Sequence, residues 1–205
     1  MTREEIKILF ENYKNQFLIL KERLEIDVVK EEYSECPYYE ITPYSYQRSG
    51  FKQGTLVTDY TKVKSKYLFI YGFDDKNQLI TIKKGIDIKN QFYYQFRVIE
   101  NNLIKIINFD NGEELRSIKV LIFDDNGQIE KTFNQGKFGA REEKFFYTDN
   151  RLSEIHVEPY GSVRRRVKTE PYKEVFSYSK SGKLEAITKI FKNGYSEVIY
   201  DLNEK

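Results

Sequence analysis

The chain has 205 residues and a mass of 24.6 kDa, enough for one large unit whose core needs no disulfide or metal to hold it. Lysine plus arginine number 34 against 32 aspartates and glutamates, a balance of +2 that argues against a general electrostatic grip on nucleic acid or an anionic membrane. One cysteine (Cys36) and one histidine (His156) exclude an internal disulfide and any multi-cysteine or multi-histidine metal centre, so no cofactor is expected.

The N-terminus is charged from Arg3-Glu4-Glu5 onward and lacks the apolar run of a secretory signal. A mature secreted chain that has lost its leader would read the same, but a lone thiol fits the cytoplasm better. The longest apolar run, Tyr67 to Phe73, is about a third of a membrane span, so no span is expected. Residues 1–32 read as one long amphipathic helix. Thr2 and Glu5 make a capping-box pattern at its start. Ile6, Phe10, Tyr13, Phe17, Leu20, Leu24 and Val28 follow at steps of four and three, on one stripe. That stripe either covers the chain's own sheet or forms a homodimer seam of coiled-coil type.

Residues 33–65 read as a tyrosine-rich connector. Cys36-Pro37, Thr42-Pro43, Ser49-Gly50 and Gln53-Gly54 break up any helix, and one short strand is expected near Leu56–Tyr60. Tyr38, Tyr39, Tyr44 and Tyr46 can cover apolar surface while keeping each hydroxyl wet.

Residues 66–205 carry a repeated β pattern: an aromatic strand end, a polar turn, then Leu or Ile opening the next strand. Phe73-Asp74-Asp75-Lys76-Asn77-Gln78-Leu79 is the first unit, and Phe123-Asp124-Asp125-Asn126-Gly127-Gln128-Ile129 nearly restates it. Val98 to Leu103 is a shorter unit without the aromatic, and Tyr147 to Leu152 and Tyr178 to Leu184 complete the set. The anchors at 79, 103, 129, 152 and 184 are separated by 24, 26, 23 and 32 residues, close to two strands and two turns each. Lys192-Asn193-Gly194 signals a last hairpin between Ile187–Phe191 and Tyr195–Tyr200. Phe92, Tyr94, Phe96 and Val98 line one strand face, whereas Tyr67–Phe73 and Ile118–Phe123 are apolar on both faces and should be covered on both sides. The fold class is therefore mainly β (α+β): the N-terminal helix plus an antiparallel meander of about ten or eleven strands, strongly curved or a partial barrel, with the helix across its concave face.

The form of aromatic, Asp, then Gly-Gln or its like before Leu or Ile resembles the YD (Rhs-type) repeat of bacterial surface and toxin proteins. Phe123–Ile129, Tyr147–Ile155 and Tyr178–Ile187 carry the likeness, within residues 66–201. The resemblance implies a hairpin meander. It also points to the small cytosolic immunity and antitoxin proteins of bacterial toxin systems, among which such meanders occur.

The chemical constellations are sparse. Glu154, His156 and Glu158 share a strand face and could run acid–base chemistry or hold a metal, though a histidine on a solvated strand is the commoner meaning. Asp74-Asp75 and Asp124-Asp125 recur at equivalent places in turns, which turn chemistry explains. Cys36 has Glu35 rather than a cation beside it, unlike an activated thiol. No phosphate-binding glycine loop or serine elbow is present.

The basic cluster Arg164, Arg165, Arg166 and Lys168 lies in the one overlong unit. Residues 161–175 hold five basic and two acidic side chains, a local +3. With Tyr38, Tyr39, Tyr44 and Tyr46, this insertion is the expected partner surface, because arginine and tyrosine dominate interface hot spots. The function these features favour is non-enzymatic protein binding, with an immunity or antitoxin protein that neutralises a toxin as its sharp form. A carrier of a small apolar, lipid-like ligand in the curved sheet is the alternative.

Overall fold

The computed structural model describes residues 1–160 and 170–203. Arg164, Arg165, Arg166 and Lys168 lie outside the described residues. Helices α1 (Arg3–Tyr13) and α2 (Phe17–Ile26) lead into strand β1 (Lys30–Glu35), the short helix α3 (Ser45–Ser49) and strand β2 (Thr55–Val57). Eleven strands follow: β3 (Leu68–Phe73), β4 (Leu79–Gly85), β5 (Phe92–Glu100), β6 (Leu103–Phe109), β7 (Leu115–Phe123), β8 (Ile129–Gly136), β9 (Ala140–Thr148), β10 (Arg151–Tyr160), β11 (Tyr172–Tyr178), β12 (Leu184–Phe191) and β13 (Ser196–Asp201).

From β3 to β13 each strand pairs with its sequence neighbour, as the hairpin pattern predicts; β1 then adds beside β3, and β2 beside β1. All of the recorded strand pairs are antiparallel. The sheet is not closed into a barrel: β13 and β2 stand at the two ends of the strand order.

The single helix expected over residues 1–32 is two helices and the start of a strand. The capping box at Thr2 and Glu5 forms as expected. Lys14-Asn15-Gln16, polar and including asparagine, a weak helix former, then breaks the helix between the stripe residues Tyr13 and Phe17. Strand β1 was hidden by its charges: Lys30-Glu31-Glu32 shows no apolar alternation, yet a full ladder to β3 holds the strand, and β2 pairs with its last three residues.

The chain divides into two compact units. The first holds Met1–Tyr39, Gln53–Val120 and Asn134–Lys137. The second holds Glu40–Lys52, Leu121–Phe133 and Phe138–Lys205. In the first unit the helical stripe packs inward. Ile6, Phe10, Phe17, Leu20 and Leu24 are all buried, and the Phe17 ring meets Tyr94, Phe96 and Phe109 at 5.2, 5.9 and 5.3 Å between centroids. These side chains are spent on the chain's own core. The opposite face of β3 and β4 is covered by Tyr38 and Tyr39, which pack on Tyr71, Phe73 and Ile82. Residues of both parities are buried in β3 and in β7, the two strands expected to be covered on both faces.

The turns repeat at atomic detail. Asp74, Asp110 and Asp124 each accept two backbone N–H bonds through Oδ1, from the residues two and four ahead. The residue three ahead is left-handed in each: Asn77 (φ 58°), Glu113 (φ 64°) and Gly127 (φ 75°). The paired aspartates thus act in turn formation, as their recurrence suggests. The Asp110 turn is a further unit of the same kind, and its glycine, Gly112, stands one place before the left-handed position. The shorter units at Asn101 and at Asp149-Asn150 are two-residue turns, which is why they lack the longer motif.

Candidate interaction site

Strand register in the second unit builds a charged row on one face. Lys144 lies opposite His156, and His156 opposite Lys173, while Glu142 lies opposite Glu158. The His156 ring sits 4.5 Å from that of Phe146, which is 43% exposed. His156 Nε2 is 2.7 Å from Glu154 Oε2, and the Lys173 ammonium donates to Glu154 Oε1 at 3.0 Å. Those two hydrogen bonds hold the Glu154 carboxyl below its ordinary range. Among the described residues no group of His, Cys, Asp and Glu is arranged to hold a metal.

Beside this row lies a cleft of about 400 Å³, lined by Lys144, His156, Glu158, Pro171, Tyr172, Lys173, Ile190, Phe191 and Lys192 together with Glu142 and Val157. Glu158 and Pro171, both in this lining, are three residues before and two after the 161–169 segment in sequence. Two further clefts, both in the first unit, also carry lysines and glutamates in their linings.

The other face of the same strands is closed from within. Arg48 on α3 donates from Nη2 to Glu143 at 2.9 Å and from Nε to Glu174, and Thr132 donates its hydroxyl to Glu143 at 2.9 Å. The Glu143 side chain is 1% exposed, that of Glu174 6% and that of Arg48 10%. Burial opposes the Arg48 charge, but the two carboxylates outweigh it and raise the guanidinium's pKa. Tyr44 lies over Phe176 and Tyr178 at 5.6 and 6.3 Å.

The structure places the four connector tyrosines in its own packing. Tyr38 and Tyr39 pack on Tyr71, with the Tyr38 N–H donating to the Tyr71 hydroxyl at 2.8 Å and the Tyr39 hydroxyl donating to Glu32. The Tyr46 hydroxyl is shut off from solvent. All four are half-buried, so only their outer edges remain for a partner, and not every hydroxyl is wet as expected. The Arg48 cluster was missed because its members lie 95 and 126 residues apart. The available signal was Glu143 and Glu174 within otherwise well-patterned strands.

In comparisons with protein-family models, curated proteins and solved structures, nothing matches this chain.

Proposed function

We propose that this chain is a non-catalytic protein-binding module whose partner is a bacterial toxin that it neutralises. The observation that carries the reading is the open row of β9–β11, where Phe146, His156, Lys144 and Lys173 face outward beside a cleft. The opposite face of these strands is sealed by the chain's own Arg48 and Tyr44. Exposed aromatic and cationic groups on a rigid sheet are what an interface anchor requires. The hairpin grammar supports the toxin-directed form, and the basic stretch at 164–168 brings positive charge suited to an acidic partner.

The test is co-expression. Each reading frame beside this gene in its host is expressed alone and with the chain, and a frame whose product arrests growth only when alone is the partner. Arg164, Arg165 and Arg166 changed together to Glu should abolish that protection while leaving the thermal melt in place. Protection by no frame, or protection undiminished in the triple variant, overturns the toxin reading or the arginine assignment respectively.

A further inference from the structure

We infer that Arg97, with Gln95, forms a binding site for a small oxyanion in the first unit, on the sheet face that Tyr38 and Tyr39 cover. Tyr71 lies opposite Ile82, and Ile82 opposite Gln95, so the three form one cross-strand row on one face. Arg97, two residues along β5, shares that face. Nε and Nη2 of Arg97 and Nε2 of Gln95 are all closed to solvent, and none meets an acceptor among the described residues. The Tyr71 hydroxyl accepts from Tyr38 N–H at 2.8 Å. Because the single Ser34 proton goes to the Cys36 carbonyl at 2.5 Å, the Tyr71 O–H is satisfied by Ser34 Oγ at 3.2 Å. Arg97 and Gln95 are left as the donors without a partner among the described residues. Donors thus gather on this face without an acceptor to receive them.

Among the described residues the charge has no counterpart either. Glu32, the carboxylate in the same row, is held by Lys30 and by the Tyr39 hydroxyl. Burial pulls the Arg97 pKa down to about 10, still far enough above neutrality that the guanidinium remains charged. A buried cation without a partner is heavily penalised. A water molecule would accept the hydrogen bonds but offset none of the charge. An oxyanion does both, and the planar N–H fork of arginine matches two oxygens of a carboxylate or a phosphate.

The experiment is calorimetric titration of the full chain with inorganic phosphate and, separately, with acetate, at constant ionic strength with chloride as the background anion. Saturable binding of either anion, with a melting temperature that climbs with its concentration, is the expected result. A response to phosphate alone identifies a phosphate site, and one to acetate a carboxylate site. Arg97→Met should weaken binding about 100-fold, through the loss of two charge-assisted hydrogen bonds, and should melt higher than the parent when chloride is the sole small anion. Gln95→Leu should weaken binding about tenfold and serves as the test if Arg97→Met does not fold. No saturable binding of either anion, or undiminished binding in the variants, overturns the site.

Discussion

Arg48 and Glu143 meet at 2.9 Å between Nη2 and Oε1, both withdrawn from solvent and 95 residues apart in the chain. This pair, with Glu174, fastens segment 40–52 to the second unit's sheet. Removing one member of a buried ion cluster leaves the others uncompensated, so Arg48→Met should cost about 3–5 kcal/mol. Replacing Arg48, Glu143 and Glu174 together by Met, Leu and Leu should cost much less. Urea unfolding of both variants gives the comparison, and a larger loss in the triple variant would show that the ions themselves stabilise. Arg48→Lys should rescue only part of the loss, since one ammonium cannot reproduce a forked pair of bonds.

Glu113 occupies the left-handed turn position that Gly127 and Gly182 fill in sister turns. A side chain there costs about 1 kcal/mol or more. Glu113→Gly should therefore raise stability by about 0.5–1 kcal/mol, and Gly127→Ala should lower it by a similar amount or more. Thermal melts of the two variants should move in opposite directions.

Leu20 is 5% exposed, whereas Leu18, on the same helix, is 59% exposed. Leu20→Ala should cost about 2–5 kcal/mol and Leu18→Ala less than about 0.5 kcal/mol. Equal effects in chemical denaturation would contradict the inward packing of α2.

Burial raises the phenol pKa of Tyr71, Tyr172 and Tyr178, while Tyr39 is raised by burial together with its bond to Glu32. A folded-state pKa above the unfolded value of about 10 means that the stabilising contribution is complete below pH 10 and is lost as pH rises toward the folded value. Stability should hold steady through neutral pH and fall above about pH 10. In Tyr39→Phe the fall should be shallower. Denaturation midpoints across pH 8–12, with tyrosinate absorbance recorded alongside, measure both.

The β region was legible because its signal is local. A five-residue turn with an Asx bond announces itself in consecutive residues, and the final hairpin formed at Gly194 as expected. The Asp110 turn escaped because its left-handed residue is a glutamate, so the glycine cue fell on the wrong position. Strand β1 escaped because pairing with β3, not apolar alternation, holds Lys30-Glu31-Glu32. The candidate site divides in the same way. His156 and its glutamates could be placed on one strand face, but their lysine neighbours come from other strands, and the Arg48 socket depends on partners more than ninety residues distant.

The unbroken run of neighbour-to-neighbour pairing from β3 to β13 has a kinetic consequence. Each hairpin needs only a short loop closed, so ordering can start at several turns and spread along the chain. Strand β1 is the exception, because it must enter between β2 and β3 and pair with residues almost forty positions away. Refolding followed by pulsed hydrogen exchange should protect the amides of the β3–β13 hairpins before those of β1. A newly synthesised chain would spend that interval with the free edge of β3 exposed, and at that edge a misplaced strand from another molecule would compete with its own.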